Sequence, residues 1–455
     1  MRVPSQVRPA LAFLPPTARP WLLSIAPLLA RLHLALLGVR RIELVGGESL
    51  VRLFQEVEEG RGRFLVAFRH STTSDPTVMF NLLAGVASRE ARRLGVRLRR
   101  APRGIFAYDR AMLEWAGRWL AWLFPRAGMV SVFPGKLDSE SIAVLRRTIV
   151  EADYPVALAP EGQVTFHDRR VAELEPGTAT LALWAVEDLR RKGGQAELKV
   201  LPVSLHYQYR EAHWRGVDRL LARVERACGL PRESADGPGR YGRTMRILDR
   251  LLAIAEEWYA GSYRIAPAGG DLQRRLEAVT DAALGVAERM LAQPPRQPGA
   301  PRGARDRQAD WLRRITAGRY LGYNRIYRQD IADPARLPPL ERSLAERAAA
   351  EGWLALRHVE LAGILAFMRA DYLAPDSSVD RYVEFVSNIG DFAGRLDGGD
   401  ISGRVDFRGR EVRVIVHEPL SAGRFAAGDG SSRRQAAARL TEAIRERFQE
   451  AAREE

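Results

Sequence analysis

The stretch FLVAFRHSTTSDP, residues 64–76, decides how this chain reads. Phe64 to Phe68 form a short unbroken apolar run, the pattern of a strand buried on both faces. The polar turn after it carries His70 and Asp75, and Pro76 opens a segment to Leu94 that reads as a helix, because proline suits a first helical position. Asp followed by Pro is also a good N-cap and N1 pair, so Asp75 has an ordinary structural reading beside any chemical one. The spacing His-x4-Asp is weak by itself. The chain has seven histidines, and a second copy occurs at His213 and Asp218. That copy has no apolar strand before it and is read as coincidence.

Outward from this stretch, strand-like and helix-like segments alternate. Met129–Phe133, Val156–Ala159 and Leu198–Leu205 read as strands, and Ser139–Ala152 and Gly177–Arg191 as helices. Ala111–Phe124 is expected to be one helix with Trp115, Trp119 and Trp122 on one face, a stripe that more often packs into a core than meets a membrane. Alternation at this spacing predicts an α/β fold with a sheet flanked by helices. After about Tyr209 the character changes. Trp214–Arg395 is helical and arginine-rich, interrupted at Pro231–Gly239 and at PPRQPGAPRG, residues 294–303. Strand character returns at Ile401–Phe407 and Val412–His417, and Arg433–Glu450 reads as a last helix. The expected division is therefore an N-terminal segment 1–41, an α/β core 42–210, a helical insertion 211–400, and returning strands with a closing helix, 401–455.

A second stretch matters for chemistry. In PVALAPEGQVTF, residues 155–166, an apolar run ends in Pro160-Glu161-Gly162, which places Glu161 at the C-terminal end of a strand. In open α/β sheets that edge is where ligands bind. The plainer reading of Glu161 is a turn residue paired with a surface arginine. Leu201-Pro202-Val203 follows in the next strand candidate.

Taken in order, His70-x4-Asp75, Val130 to Lys136, Pro160-Glu161-Gly162 and Leu201-Pro202-Val203 resemble the four blocks of the lysophospholipid acyltransferase superfamily, which includes the 1-acylglycerol-3-phosphate O-acyltransferases. The resemblance covers roughly residues 40–210. It implies a glycerolipid-acyltransferase-like sheet and transfer of a fatty acyl group from a thioester, acyl-CoA or acyl carrier protein, to a lysophospholipid or other lipid hydroxyl. It assigns His70 and Asp75 to catalysis and Lys136, Glu161, Gly162 and Pro202 to substrate binding, with no metal and no further cofactor. Two features depart from the family. Gln163-Val164-Thr165 stands where members usually have Thr-Arg-Ser, and that arginine is associated with the acceptor's phosphate. Tyr108-Asp109-Arg110 also resembles the second block, but lies too far before Glu161. The chemistry suits these residues. A histidine with a reference pKa of about 6.5 is poised as a base near neutral pH, and an aspartate beside it fixes its tautomer.

Composition limits the alternatives. The chain has 455 residues, 46% of them hydrophobic and 28% charged, which describes a folded protein large enough for two domains. Its net charge of +14 is almost all arginine, the only lysines being Lys136, Lys192 and Lys199. Compositional bias, an anionic membrane surface, phosphorylated substrates and nucleic acid all fit such a charge. No nucleic-acid module is visible, so no nucleic-acid partner is expected. Cys228 is the single cysteine, which excludes an intramolecular disulfide. It lies in a helical stretch without a nearby histidine, a poor setting for a nucleophile. Pro20–Val39 is an apolar segment flanked by Arg19 and Arg40-Arg41. Twenty helical residues would just span a core of ~30 Å. Arg31 at mid-segment costs about 2.5–3.5 kcal/mol on insertion, and Pro27 weakens the helix. An interfacial helix is favoured over a buried helix or a true span, which predicts a membrane-associated protein with its site facing the cytoplasm. A membrane scaffold with an altered acyltransferase domain is one alternative reading, and a basic nucleic-acid-binding protein, which the composition permits and the motifs oppose, is the other.

Overall fold

The structure is a computed structural model and describes residues 7–117, 119–133, 138–193, 196–231, 239–293, 303–400, 403–426 and 432–453. The described residues form two compact units, an α/β unit within 13–133, 138–208 and 408–453 and a helical unit within 7–12 and 209–407.

The described strands in chain order are β1 (Arg8–Pro9), β2 (Val39–Val45), β3 (Gly62–Phe68), β4 (Ile105–Asp109) and β5 (Val130–Val132). They continue with β6 (Val156–Leu158), β7 (Glu197–Gln208), β8 (Tyr327–Arg328), β9 (Arg410–Val416) and β10 (Leu420–Ser421). In the α/β unit the sheet order is β2-β9-β7-β3-β6-β4-β5, with β10 also on β7. Strands β3 to β7 are mutually parallel, whereas β9 runs antiparallel to β7 and carries β2 parallel to itself. The molecule is thus mixed α/β, with a multi-strand sheet flanked by helices.

Strand β3 lies at the middle because it is apolar on both faces. Leu65 and Ala67 join the core under α7 (Ser139–Glu151), α8 (Gly177–Arg191) and α15 (Arg433–Arg453), which supplies Leu440, Ile444 and Phe448. Phe64 points the other way, edge-on to Phe54 of α2 (Gly47–Glu58) at 5.2 Å. That face is also covered by α3 (Asp75–Asn81), a π-helical turn at Leu82–Val86 and α4 (Ala87–Arg93). Burial from both sides explains why the run 64–68 shows no polar alternation.

Several expectations need correction. The apolar segment forms α1 (Pro20–Leu36), and the chain enters β2 at Val39, so residues 39–41 belong to the sheet and not to a separate N-terminal segment. No helix among the described residues is long and apolar enough to cross a membrane. Ala111–Phe124 is two helices, α5 (Met112–Ala116) and α6 (Leu120–Arg126), because Gly117 turns the chain at φ +119°. Trp119 and Trp122 are exposed instead of packing into a core, and the side chain of Trp115 lies outside the described residues. The strand expected at Ile401–Phe407 is not formed over residues 403–407, and 401–402 lie outside the described residues.

The helical unit holds α9 (Trp214–Ala227), α10 (Gly239–Tyr263), α11 (Leu272–Met290), α12 (Ala304–Ile326), α13 (Pro339–Leu365) and α14 (Val379–Leu396). Strands β1 and β8 add a two-residue parallel bridge. Helices α12 and α13 touch backbone to backbone. A Cβ on Gly322 would stand 2.7 Å from Leu356 Cγ and 3.3 Å from the Gly352 carbonyl oxygen, so only hydrogen fits there.

Candidate active site

Strand β3 delivers the chain to the C-terminal edge of the sheet, where it leaves the plane at Arg69 and His70. The Arg69 amide still donates to the Val203 carbonyl at 3.0 Å, so β7 guides the first residue of the turn. Ser74 occupies the helix N-cap without a side-chain cap, and Asp75 is the first helical residue, one step later than the N-cap reading of the sequence. Its carboxylate turns back over the loop instead. Oδ2 lies 3.3 Å from His70 Nδ1 and accepts the Thr72 amide at 2.7 Å. Oδ1 accepts from Thr72 Oγ1 at 3.3 Å and from the Tyr207 hydroxyl in a close contact.

Asp75 is fully buried, whereas the His70 side chain keeps 18% of its surface accessible. In a neutral imidazole, donation across the Nδ1–Oδ2 contact places the ring proton on Nδ1. That leaves Nε2 as the lone-pair nitrogen, and it has no hydrogen-bond partner among the described residues. The pair is arranged as a base with an orienting carboxylate behind it.

Glu161 has a different role from the one expected. It is fully buried, and both oxygens are occupied: Oε1 takes Arg69 Nε at 3.0 Å and Oε2 takes the His70 amide at 2.5 Å. Its arginine is interior, not on the surface, and is satisfied further by the carbonyls of His167, Asp168 and Arg170 at 2.8–2.9 Å. A buried ion pair needs such hydrogen bonding to offset its desolvation. Glu161 therefore fixes the His70 backbone, with both oxygens engaged inside the protein. Thr165, within the altered third block, pins the same residue from the other side, its amide donating to the His70 carbonyl at 2.9 Å.

Gly162 turns the chain after β6 with φ +69°, and a Cβ there would meet the Glu175 carboxylate at 2.7–2.9 Å. Glycine is thus required by backbone geometry. Pro202 is buried mid-strand in β7 opposite Ala67. Along the other edge of β7, β9 pairs with 203–208 and β10 with 199–200. Pro202 falls in the gap between them, where a missing N–H costs no ladder bond. Lys136 lies outside the described residues.

The remaining candidates are structural. Arg110 is buried, donating to Ser131 Oγ at 3.3 Å and Ser141 Oγ at 2.8 Å and pairing with Asp138. In the helical unit His213 Nδ1 faces the Arg210 backbone, and Asp218 is clamped by Arg240 at 2.7 and 2.9 Å. Burial pushes the Cys228 thiol above its ordinary pKa, the opposite of what a nucleophile needs. No group of three or more potential metal ligands occurs among the described residues.

Sequence reasoning missed Tyr207 and Arg410. Tyr207 is held well above its ordinary pKa by burial, with the charge of Asp75 adding to the effect and that of Arg410 opposing it. Nothing local marks either residue; the pairing of β3 with β7 brings Tyr207 to Asp75, and the pairing of β7 with β9 brings Arg410 beside them. No protein-family model matches this chain, and neither does any curated protein or any solved structure.

Proposed function

We propose that this protein is a thioester-dependent O-acyltransferase of the glycerolipid type, working at the cytoplasmic surface of a membrane. The observation that carries the reading is the 3.3 Å contact of His70 Nδ1 with buried Asp75, set at the end of the central parallel strand with Nε2 left available. His70 Nε2 takes the proton of the acceptor hydroxyl as its oxygen attacks the acyl thioester carbonyl. The tetrahedral intermediate then expels the thiolate, which recovers the proton from His70. Asp75 holds the ring and offsets the imidazolium charge. No enzyme nucleophile is needed, since the thioester is already activated. The donor is acyl-CoA or an acyl carrier protein, and the acceptor is a lysophospholipid or another lipid hydroxyl.

Helix α1 supports the membrane part of the reading. Leu22, Ala26, Ala30 and Leu34 are buried, while Trp21, Ile25, Leu28, Leu29, Leu32 and Leu36 are exposed. An exposed apolar stripe of this length, with arginine at each end, suits a helix lying in a lipid interface.

The test is transfer of labelled acyl groups by the purified chain from acyl-CoA or acyl carrier protein to a panel of lipid alcohols. His70→Ala is expected to lower the rate by about 100-fold or more. His213→Ala is expected to leave it within about twofold, since that residue is half-buried and bonded to its own turn through Nδ1. Equal losses in two folded variants would remove the assignment. Because Val164 stands at the family's arginine position, lysophosphatidate is expected to be used less well than a less charged lysolipid. A kinetic preference for lysophosphatidate over every neutral lysolipid would refute that.

A further inference from the structure

Behind Asp75 lies a buried line of hydrogen bonds that reaches a cation. Arg410 Nη2 donates to Ser74 Oγ at 3.1 Å, and Ser74 Oγ lies 3.0 Å from the Tyr207 hydroxyl, which donates to Asp75 Oδ1. Arginine can only donate, and a carboxylate can only accept. Arg410 therefore donates at one end of the line and Tyr207 donates to Asp75 at the other, while the Ser74 hydroxyl between them lies 3.0 Å from the Tyr207 hydroxyl and 2.5 Å from Thr72 Oγ1. The Arg410 guanidinium also stands 5.0 Å from the Tyr207 ring centroid. Asp75, Tyr207, Ser74 and Arg410 are all buried, so water does not screen the line.

We propose that Tyr207 and Arg410 are positioning residues which keep Asp75 charged and aimed at His70, so that β7 and β9 set the strength of the base. This rests on the reading of His70 as that base. The other charged groups packed around the pair are accounted for. Glu161 is matched by Arg69, and Asp168 accepts the Tyr207 amide at 2.6 Å. His33 of α1 reaches only Thr77, at 3.2 Å.

The sign of the effect follows from charge. Removing a cation or a donor from a buried anion makes the Asp75–His70 pair bind its shared proton more tightly, whichever partner holds it. In the full chain with isotope-labelled histidine, the His70 titration midpoint is read by NMR for Tyr207→Phe, Arg410→Gln and Arg410→Lys. Tyr207→Phe and Arg410→Gln are expected to raise the midpoint by about one pH unit, the size of one charge-assisted hydrogen bond. Arg410→Lys, which keeps the charge, is expected to stay within a few tenths of a unit. Should Arg410→Gln fail to fold, Tyr207→Phe carries the test alone, because it removes one oxygen from a retained ring. Unchanged midpoints in the folded variants would overturn the proposal. The readout needs no substrate, so it is separable from the acyl-transfer reading. Where transfer is measured, the acidic limb of kcat/KM should move with the NMR midpoint. A midpoint that moves without any transfer activity would overturn the catalytic reading and leave the line of bonds standing.

Discussion

Glu161 shows how one buried carboxylate can serve a site without entering it. Its two oxygens hold Arg69 and the His70 amide, so one side chain both ties down the His70 backbone and supplies the counter-charge of Arg69. Glu161→Gln leaves the Arg69 guanidinium buried without its counter-charge. Breaking such a pair costs about 3–5 kcal/mol, so urea or thermal unfolding should register a large loss of stability. A change under about 1 kcal/mol would show that the carbonyls of residues 167, 168 and 170 suffice for Arg69. His358 gives a second residue-scale prediction. It is buried between the hydroxyls of Tyr259 and Tyr263, at 2.9 and 3.0 Å, and burial lowers its pKa to about 4. In the unfolded chain it titrates near 6.5. The unfolded state therefore binds more protons between these values, and the stability held above about pH 6.5 is lost as pH falls towards 4. The loss reaches about 3 kcal/mol, and His358→Phe should flatten that part of the stability–pH curve.

At the scale of elements, α1 carries opposite faces that can be tested apart. Leu28 is 69% exposed, so Leu28→Glu together with Leu32→Glu should leave the unfolding midpoint nearly unchanged. The same pair should reduce co-sedimentation with anionic vesicles, and high salt alone should not release the unaltered protein, because apolar burial is insensitive to screening. Release by salt would mean that arginine holds the protein there. The α12–α13 contact offers a purely structural case. Gly322→Ala drives a methyl into Leu356 and the Gly352 carbonyl, and overpacking of that kind costs about 1–3 kcal/mol, readable by chemical denaturation.

For the whole molecule, the last fifty residues complete the α/β unit. β9 lies between β2 and β7, α15 covers the face beneath Leu65 and Ala67, and Arg410 reaches Ser74. A chain ending at residue 400 would expose that core and open the sheet between β2 and β7. We expect it to lose cooperative unfolding and any activity together. A truncated chain that kept both would show β9 and α15 to be dispensable for the α/β unit.

What the sequence determined by itself was local. Phe64 to Phe68 announced a strand by apolarity, Asp75-Pro76 announced a helix start, and Gly162 marked a turn that glycine alone makes cheaply. His70 and Asp75 were legible because only four residues separate them and one turn suffices to bring them together. The tertiary structure decided everything that depends on which strands become neighbours. Tyr207 is 132 residues from Asp75, and Arg410 is 336 from Ser74. Glu161 was legible as a residue at a strand end, but its partner was not, since pairing of β3 with β6 puts Arg69 beside it. The strand at 39–45 was hidden because its burial pattern mixes charged and apolar positions, and its place comes from pairing with β9. A side chain's periodicity reports how deeply its own element is buried. Hydrogen bonding across a sheet joins residues by register, and register exists only once the chain has folded.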